Sequence, residues 1–289
     1  MATHTVKKQP KSTVELFVKV PWTEIQTAYT EAFNHLLTSF EYQGFRKGKV
    51  PRDIAEKSMP KDTVYGQLIR KLMPTLYEEI VKKEGLKPIM NPKLELVKAK
   101  ENEEWEMKIT LAEKPEVKLK NYKKAVQEAK KKATEPEIWV PGKDEKKPEQ
   151  TEAQKKEKSL NVSLEALLKE VECEIPPLLI EEELERRLAQ IVDDVQKIGL
   201  TVDKYLQTRN MTMDALKERL SKEITDTYRL EFILQAIADS EKLEVTQTDL
   251  ATLLGNIKDE KAKKEAEANS YFYASVMRKQ KALDFIIGL

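Results

Sequence analysis

Between residues 123 and 158, nineteen of 36 positions are charged, and Pro136, Pro141, Gly142 and Pro148 punctuate the rest. A stretch with so few apolar side chains cannot offset the entropy of ordering its own backbone. It reads as a charged flexible linker, and it forces the chain to fold in two parts, 1–122 and 159–289. The length of 289 residues has room for about two domains. One apolar triplet, Ile138-Trp139-Val140, interrupts the linker; such a triplet packs on a neighbouring domain more often than it serves as a binding motif.

The front part carries two periods. Val14, Leu16, Val18 and Val20 alternate with Glu15, Phe17 and Lys19, and Trp105, Met107, Ile109 and Leu111 alternate with Glu104, Glu106, Lys108 and Thr110. Period two predicts strands with one face buried, with residues 91–99 as a partner strand. Trp22, Ile25, Tyr29, Ala32, Phe33, Leu36 and Phe40 recur at steps of three and four, which predicts a helix. A second helix is predicted from about Asp62 along Tyr65, Leu68, Leu72, Leu76 and Ile80, interrupted at Met73-Pro74 and stopped by Gly85. Residues 1–122 are therefore expected to form a small α+β domain.

From Ser159 onward the period is helical. Pro176-Pro177 can open a helix, Thr201 and Thr212 can cap the next two, and Thr246-Gln247-Thr248-Asp249 has the spacing of a capping box. A last helix carries Phe272, Val276, Leu283, Ile286 and Ile287. No sequence repeat recurs. The expected C-terminal domain is all-α, irregular and elongated, and the whole chain is mainly helical.

Chemistry-bearing residues are sparse. His4 falls in an N-terminal tail and His35 on the polar or boundary side of a helix, and with one cysteine they make no familiar zinc spacing. Glu181-Glu182-Glu183 point in different directions on a helix and read as a solvated face. Cys173 lies between Glu172 and Glu174, whose charge is expected to raise the thiol pKa. No phosphate-binding glycine loop, dinucleotide fingerprint or nucleophile elbow is found. The expectation is a non-enzyme with no cofactor and no metal. No apolar run is long enough for a membrane span, and the opening residues do not read as a signal peptide, so the chain is expected to be cytoplasmic. Charge is unevenly divided: residues 1–122 hold 22 Lys+Arg against 17 Asp+Glu, and residues 159–289 hold 18 against 25. The two parts are suited to different partners.

Within the basic front part lies Gly44-Phe45-Arg46-Lys47-Gly48-Lys49-Val50-Pro51. Two glycines and a proline shape a loop tip that holds a ring and two cations out to solvent. Such a tip suits a surface with negative charge beside an apolar notch.

This run resembles the ribosome-docking signature of the trigger factor family of ribosome-associated chaperones. Lys114-Pro115-Glu116-Val117-Lys118-Leu119 resembles the segment closing the family's N-terminal domain. Residues 175–184 resemble the start of a long helix of its C-terminal domain, residues 199–206 with Met211-Thr212 the next turn and helix, and residues 279–286 its closing helix, in the family's order. The family's prolyl-isomerase domain has no counterpart; the linker 123–158 stands in its place. The resemblance implies an ATP-independent holdase that docks at the ribosomal exit tunnel through Gly44, Phe45, Arg46, Lys47, Gly48, Lys49 and Pro51. Its partners would be an exit-site ribosomal protein, nearby rRNA helped by Lys49 and Arg52, and unfolded nascent chains. Homodimerisation off the ribosome stays open. The alternative is an rRNA-binding ribosome-assembly factor, ranked lower because the front part lacks a stacking-aromatic sheet signature or a dense basic stripe.

Overall fold

The structure, a computed structural model, describes residues 2–134, 152–255, 264 and 267–289. These fall into two compact units, Met1–Lys114 with Pro176–Leu179, and Pro115–Ile175 with Ile180–Leu289. The first unit closes at Lys114 rather than at residue 122.

In the first unit β1 (Thr3–Gln9), β2 (Thr13–Val20), β3 (Lys93–Lys98) and β4 (Trp105–Ala112) form an antiparallel sheet in the order β1-β2-β4-β3. Every residue of the two predicted apolar stripes is buried. They form one core with α1 (Trp22–Leu37), α2 (Arg52–Ser58) and α3 (Lys61–Glu84), through Ile25, Phe33, Ala55, Val64 and Leu68. The helix α3 runs unbroken through Pro74, where the sequence predicts a kink. It stops at Gly85, whose φ of 65° is left-handed.

β1 is a correction to the sequence reading. His4 lies not in a tail but in this edge strand, paired opposite Val18, with its Nε2 2.9 Å from Glu84 Oε1. His35 is exposed near the end of α1, as expected.

The second unit contains a short ladder of β5 (Val117–Lys118) on β6 (Glu172–Cys173) and, among the described residues, seven helices, of which α6 has its first three residues in the first unit. These are α4 (Tyr122–Thr134), α5 (Glu152–Glu170), α6 (Pro177–Lys197), α7 (Val202–Thr208), α8 (Met213–Ser240), α9 (Gln247–Gly255) and α10 (Ser270–Gly288). The linker reading is corrected at both ends by α4 and α5, which pack on each other. Tyr122 and Val126 are buried, and Lys130 Nζ donates to the carbonyls of Ile286 (2.7 Å) and Ile287 (2.8 Å) at the end of α10. Burial holds the Lys130 amine below its ordinary pKa. The Ile138-Trp139-Val140 triplet lies outside the described residues.

The predicted caps form. Thr201 Oγ1 accepts from the Lys204 N–H (3.3 Å) and Thr212 Oγ1 from the Ala215 N–H (3.2 Å). The box at α9 closes both ways: Thr246 N–H donates to Asp249 Oδ2 (2.8 Å) and Asp249 N–H to Thr246 Oγ1 (3.3 Å). Lys281, with help from Thr246, holds the Asp249 carboxyl down at about 2. One apolar cluster joins Leu206, Leu216, Leu220 and Ile224 to Ile180, Leu184, Leu188 and Ile191 of α6. Further along α8, Ile233 and Ile237 are buried, as are Ala282 and Ile286 of α10, which packs on α8 and α5.

Candidate functional site

The loop 38–51 is built by its glycines. After α1 the chain winds through Ser39 N–H to the Leu36 carbonyl (3.0 Å) and Phe40 N–H to the Leu37 carbonyl (3.4 Å). It then leaves, and returns where Gly48 N–H donates to the Phe40 carbonyl (3.0 Å). Gly48 has φ of 70°, and a Cβ there would sit 2.3 Å from the Thr38 carbonyl oxygen. Only glycine closes this neck. Gly44 has φ of 88° with open space around it, so there glycine supplies backbone freedom alone.

Two turns lie between. Phe45 N–H donates to the Tyr42 carbonyl (3.0 Å) and Lys49 N–H to the Arg46 carbonyl (2.9 Å). Val50, 4% exposed, is sunk in the core of the first unit, and Pro51 starts α2. A buried anchor and a closed neck thus fix a tip whose Phe45, Arg46, Lys47 and Lys49 are all exposed.

Three aromatic rings form a ledge along this loop. Phe40 stacks on Tyr42 at 6.4 Å between centroids, and Tyr42 meets Phe45 at 6.4 Å. Tyr42, 43% exposed beside Phe45 at 40%, was missed by the sequence reading. It falls just outside the glycine-bounded run, where no sequence signal separates it from a core aromatic.

The cations differ in their commitments. Lys47 Nζ meets Glu41 Oε1 at 3.0 Å, with both side chains largely in solvent; such pairs contribute about 0–1 kcal/mol and yield readily to a stronger anion. Arg46 and Lys49 form no ion pair with a described residue. Arg52 is engaged, donating from Nε to Glu56 (2.7 Å) and lying over the Phe33 ring at 5.6 Å.

The remaining reactive candidates are structural. Glu181 and Glu182 are exposed, as expected of a solvated face, but the Glu183 side chain is only 11% exposed and holds Arg187 (3.0 Å) and Arg186 along α6. Cys173 is buried and its thiol pKa is raised, as expected, but the cause is burial, with Arg229 pulling the other way. Among the described residues no group of three or more His, Cys, Asp or Glu is placed to hold a metal ion, and no helix is long and apolar enough to cross a membrane.

In the second unit several large apolar side chains face solvent. Ile198 (68% exposed) and Leu200 flank Gly199 after α6, and Tyr271 (89%), Phe272 (64%) and Val276 lie along the start of α10. Of the apolar residues named in the last helix, Phe272, Val276 and Ile287 are exposed, while Ile286 is buried together with Ala282.

The described residues thus comprise an α+β unit that presents an aromatic and cationic tip and a helical unit that leaves several large apolar side chains exposed. The N-terminal domain model of bacterial trigger factor matches residues 2–139 and its C-terminal model residues 144–287. The chain belongs to the trigger factor family. The trigger factor of Pelotomaculum thermopropionicum is 35% identical over 137 residues, 47% of this chain and 30% of that one. That of Moorella thermoacetica is 37% identical over 117 residues, 40% and 26%. The matched stretches thus span less than a third of these relatives. A solved chain from work on promiscuous substrate recognition in the folding and assembly activities of the trigger factor chaperone superposes with a TM-score of 0.58. It does so over 98% of this chain and 99% of that one, at 16% identity, a likeness of fold.

Proposed function

We propose that this protein is an ATP-independent chaperone that docks on the ribosome through Gly44–Pro51 and shelters nascent chains. The observation that carries the reading is the tip itself. A neck that tolerates only glycine and a buried Val50 hold Phe45, Arg46 and Lys47 outward. That rigidity reduces the ordering cost of binding. Phe45 with Tyr42 would fill an apolar notch on a ribosomal protein, while Arg46, Lys47 and Lys49 meet carboxylate or phosphate. Unfolded segments would be met by the exposed side chains of the helical unit, Ile198, Leu200, Tyr271, Phe272 and Val276. Scattered apolar contacts of this kind suit promiscuous clients better than one shaped pocket. The reading includes a cytoplasmic location and no prolyl-isomerase step; the two matched family models leave only residues 140–143 between them.

The test is cosedimentation with bacterial ribosomes. Phe45→Ala/Arg46→Ala/Lys47→Ala should lose binding by at least tenfold with the thermal unfolding of the chain unchanged, since all three side chains are exposed. Undiminished binding by the folded triple variant would sink the docking assignment.

A further inference from the structure

A second cationic surface lies at the end of the sheet where the β1–β2 hairpin turns. Gln9 pairs with Thr13 across Pro10, Lys11 and Ser12, and Lys11 and Ser12 sit at positive φ, 59° and 50°. A lysine in that region has no glycine-like ease, so the turn holds its cation at some conformational cost. Two other segments converge on it. Glu113 N–H donates to the Ser12 carbonyl (2.8 Å), which brings Lys114 beside the turn. Lys87 N–H donates to Glu113 Oε1 (2.9 Å), and Pro88 bridges to Glu113. Lys7, Lys8, Lys11, Lys87 and Lys114, from three separate stretches of chain, are thus exposed residues at one end of the sheet, with Lys7 and Lys8 on its opposite faces.

The carboxylates there are occupied. Glu15 is held by Lys108 (2.8 Å) and Gln9 (2.9 Å) and also faces Lys7 across the strands, and Glu113 is held by the Lys87 backbone. Elsewhere on the unit lysines are paired, as in Lys19–Glu106, Lys61–Glu101, Lys71–Glu31 and Lys98–Glu103. Lys8, Lys11 and Lys87 have no ion pair with a described residue. Lysines on an edge strand keep it from pairing with another sheet, but that role needs neither Lys11, Lys87 nor Lys114, which lie off the strand.

We infer that this hairpin end is a second ribosome contact, in which Lys7, Lys8 and Lys11 bind phosphates of rRNA backbone independently of sequence. The inference deepens the docking reading and rests on it. The loop tip, with its aromatic ledge, supplies a specific protein contact. The hairpin turn, with cations at its tip, supplies a salt-sensitive electrostatic one.

The experiment compares wild type, Lys7→Gln/Lys8→Gln/Lys11→Gln and the matching triple Arg variant in ribosome cosedimentation across a salt series. The same proteins are titrated against an RNA duplex of about 20 base pairs and against polyglutamate. Three lost phosphate contacts mean that, between about 50 and 200 mM salt, wild-type affinity falls roughly 20- to 40-fold more than that of the Gln variant. The Arg variant should follow wild type. Equal salt slopes for wild type and the Gln variant on ribosomes and duplex would overturn the inference, and so would an equal loss toward polyglutamate. If wild type does not bind ribosomes, or the Phe45/Arg46/Lys47 variant binds as well as wild type, the docking reading fails by itself. The duplex slopes then decide the hairpin alone.

Discussion

At the scale of single residues, the two loop glycines look alike in sequence and differ in the structure. A side chain at Gly44 meets open space and costs only the left-handed backbone, roughly 1–2 kcal/mol. A side chain at Gly48 costs that and also drives Cβ into the Thr38 carbonyl at 2.3 Å, a backbone atom that cannot swing aside. Gly48→Ala should therefore distort the neck and weaken ribosome binding more than tenfold, while Gly44→Ala should weaken it only a few-fold. Cosedimentation of both variants, with melting temperatures alongside, checks the order; equal effects would mean that the neck does not set the tip. The tip was legible because glycine, proline and cations announce a shaped surface directly. Tyr42 was not, because a lone aromatic outside the glycines is indistinguishable from a core residue until its neighbours are known. The Cys173 thiol shows the converse. Its raised pKa was anticipated from adjacent carboxylates, but burial, a tertiary property, is what raises it.

Among the elements, legibility followed the strength of the apolar period. β2 and β4 place four apolar residues each on one face, and all are buried. β1 reads Thr-His-Thr-Val-Lys-Lys-Gln, with Val6 alone packing on the core from that strand, so its pairing partner rather than its own pattern makes it a strand. α4 was lost among lysines. Its stripe is Tyr122, Val126, Ala129 and Ala133, at helical spacing, but alanine hides it and the sequence reading followed the charge. Whether this segment is structural can be decided on Val126, fully buried here. Val126→Ala removes two methyls from a packed site and should cost about 2 kcal/mol of helical-unit stability. Glu128→Ala, on the exposed side of the same helix, should stay within about 0.5 kcal/mol. Urea unfolding followed by helical circular dichroism measures both. A neutral Val126→Ala would restore the linker reading for residues 123–134.

For the whole molecule, the proposed division of labour assigns docking to one unit and client contact to the other. The charge follows the same division, with a net of +5 in residues 1–122 and −7 in residues 159–289. An acidic helical unit is repelled by an rRNA surface that attracts the basic one, which would keep its exposed apolar side chains for the emerging chain. Tyr271 and Phe272 are the sharpest case, since rings this exposed on an otherwise ordered helix gain nothing from the protein's own core. Covering about 100 Å² of one such ring contributes roughly 2.5 kcal/mol, enough for a short-lived hold and too little to trap a client. Tyr271→Ser/Phe272→Ser should therefore reduce protection of an aggregating client several-fold, measured by light scattering with the chaperone in free solution. Its ribosome cosedimentation should be unchanged. The Phe45/Arg46/Lys47 variant should behave in the opposite way, losing the ribosome while protecting the client in solution. If the Tyr271/Phe272 variant protects as well as wild type, the start of α10 is not a client surface, and Ile198 and Leu200 become the side chains to test.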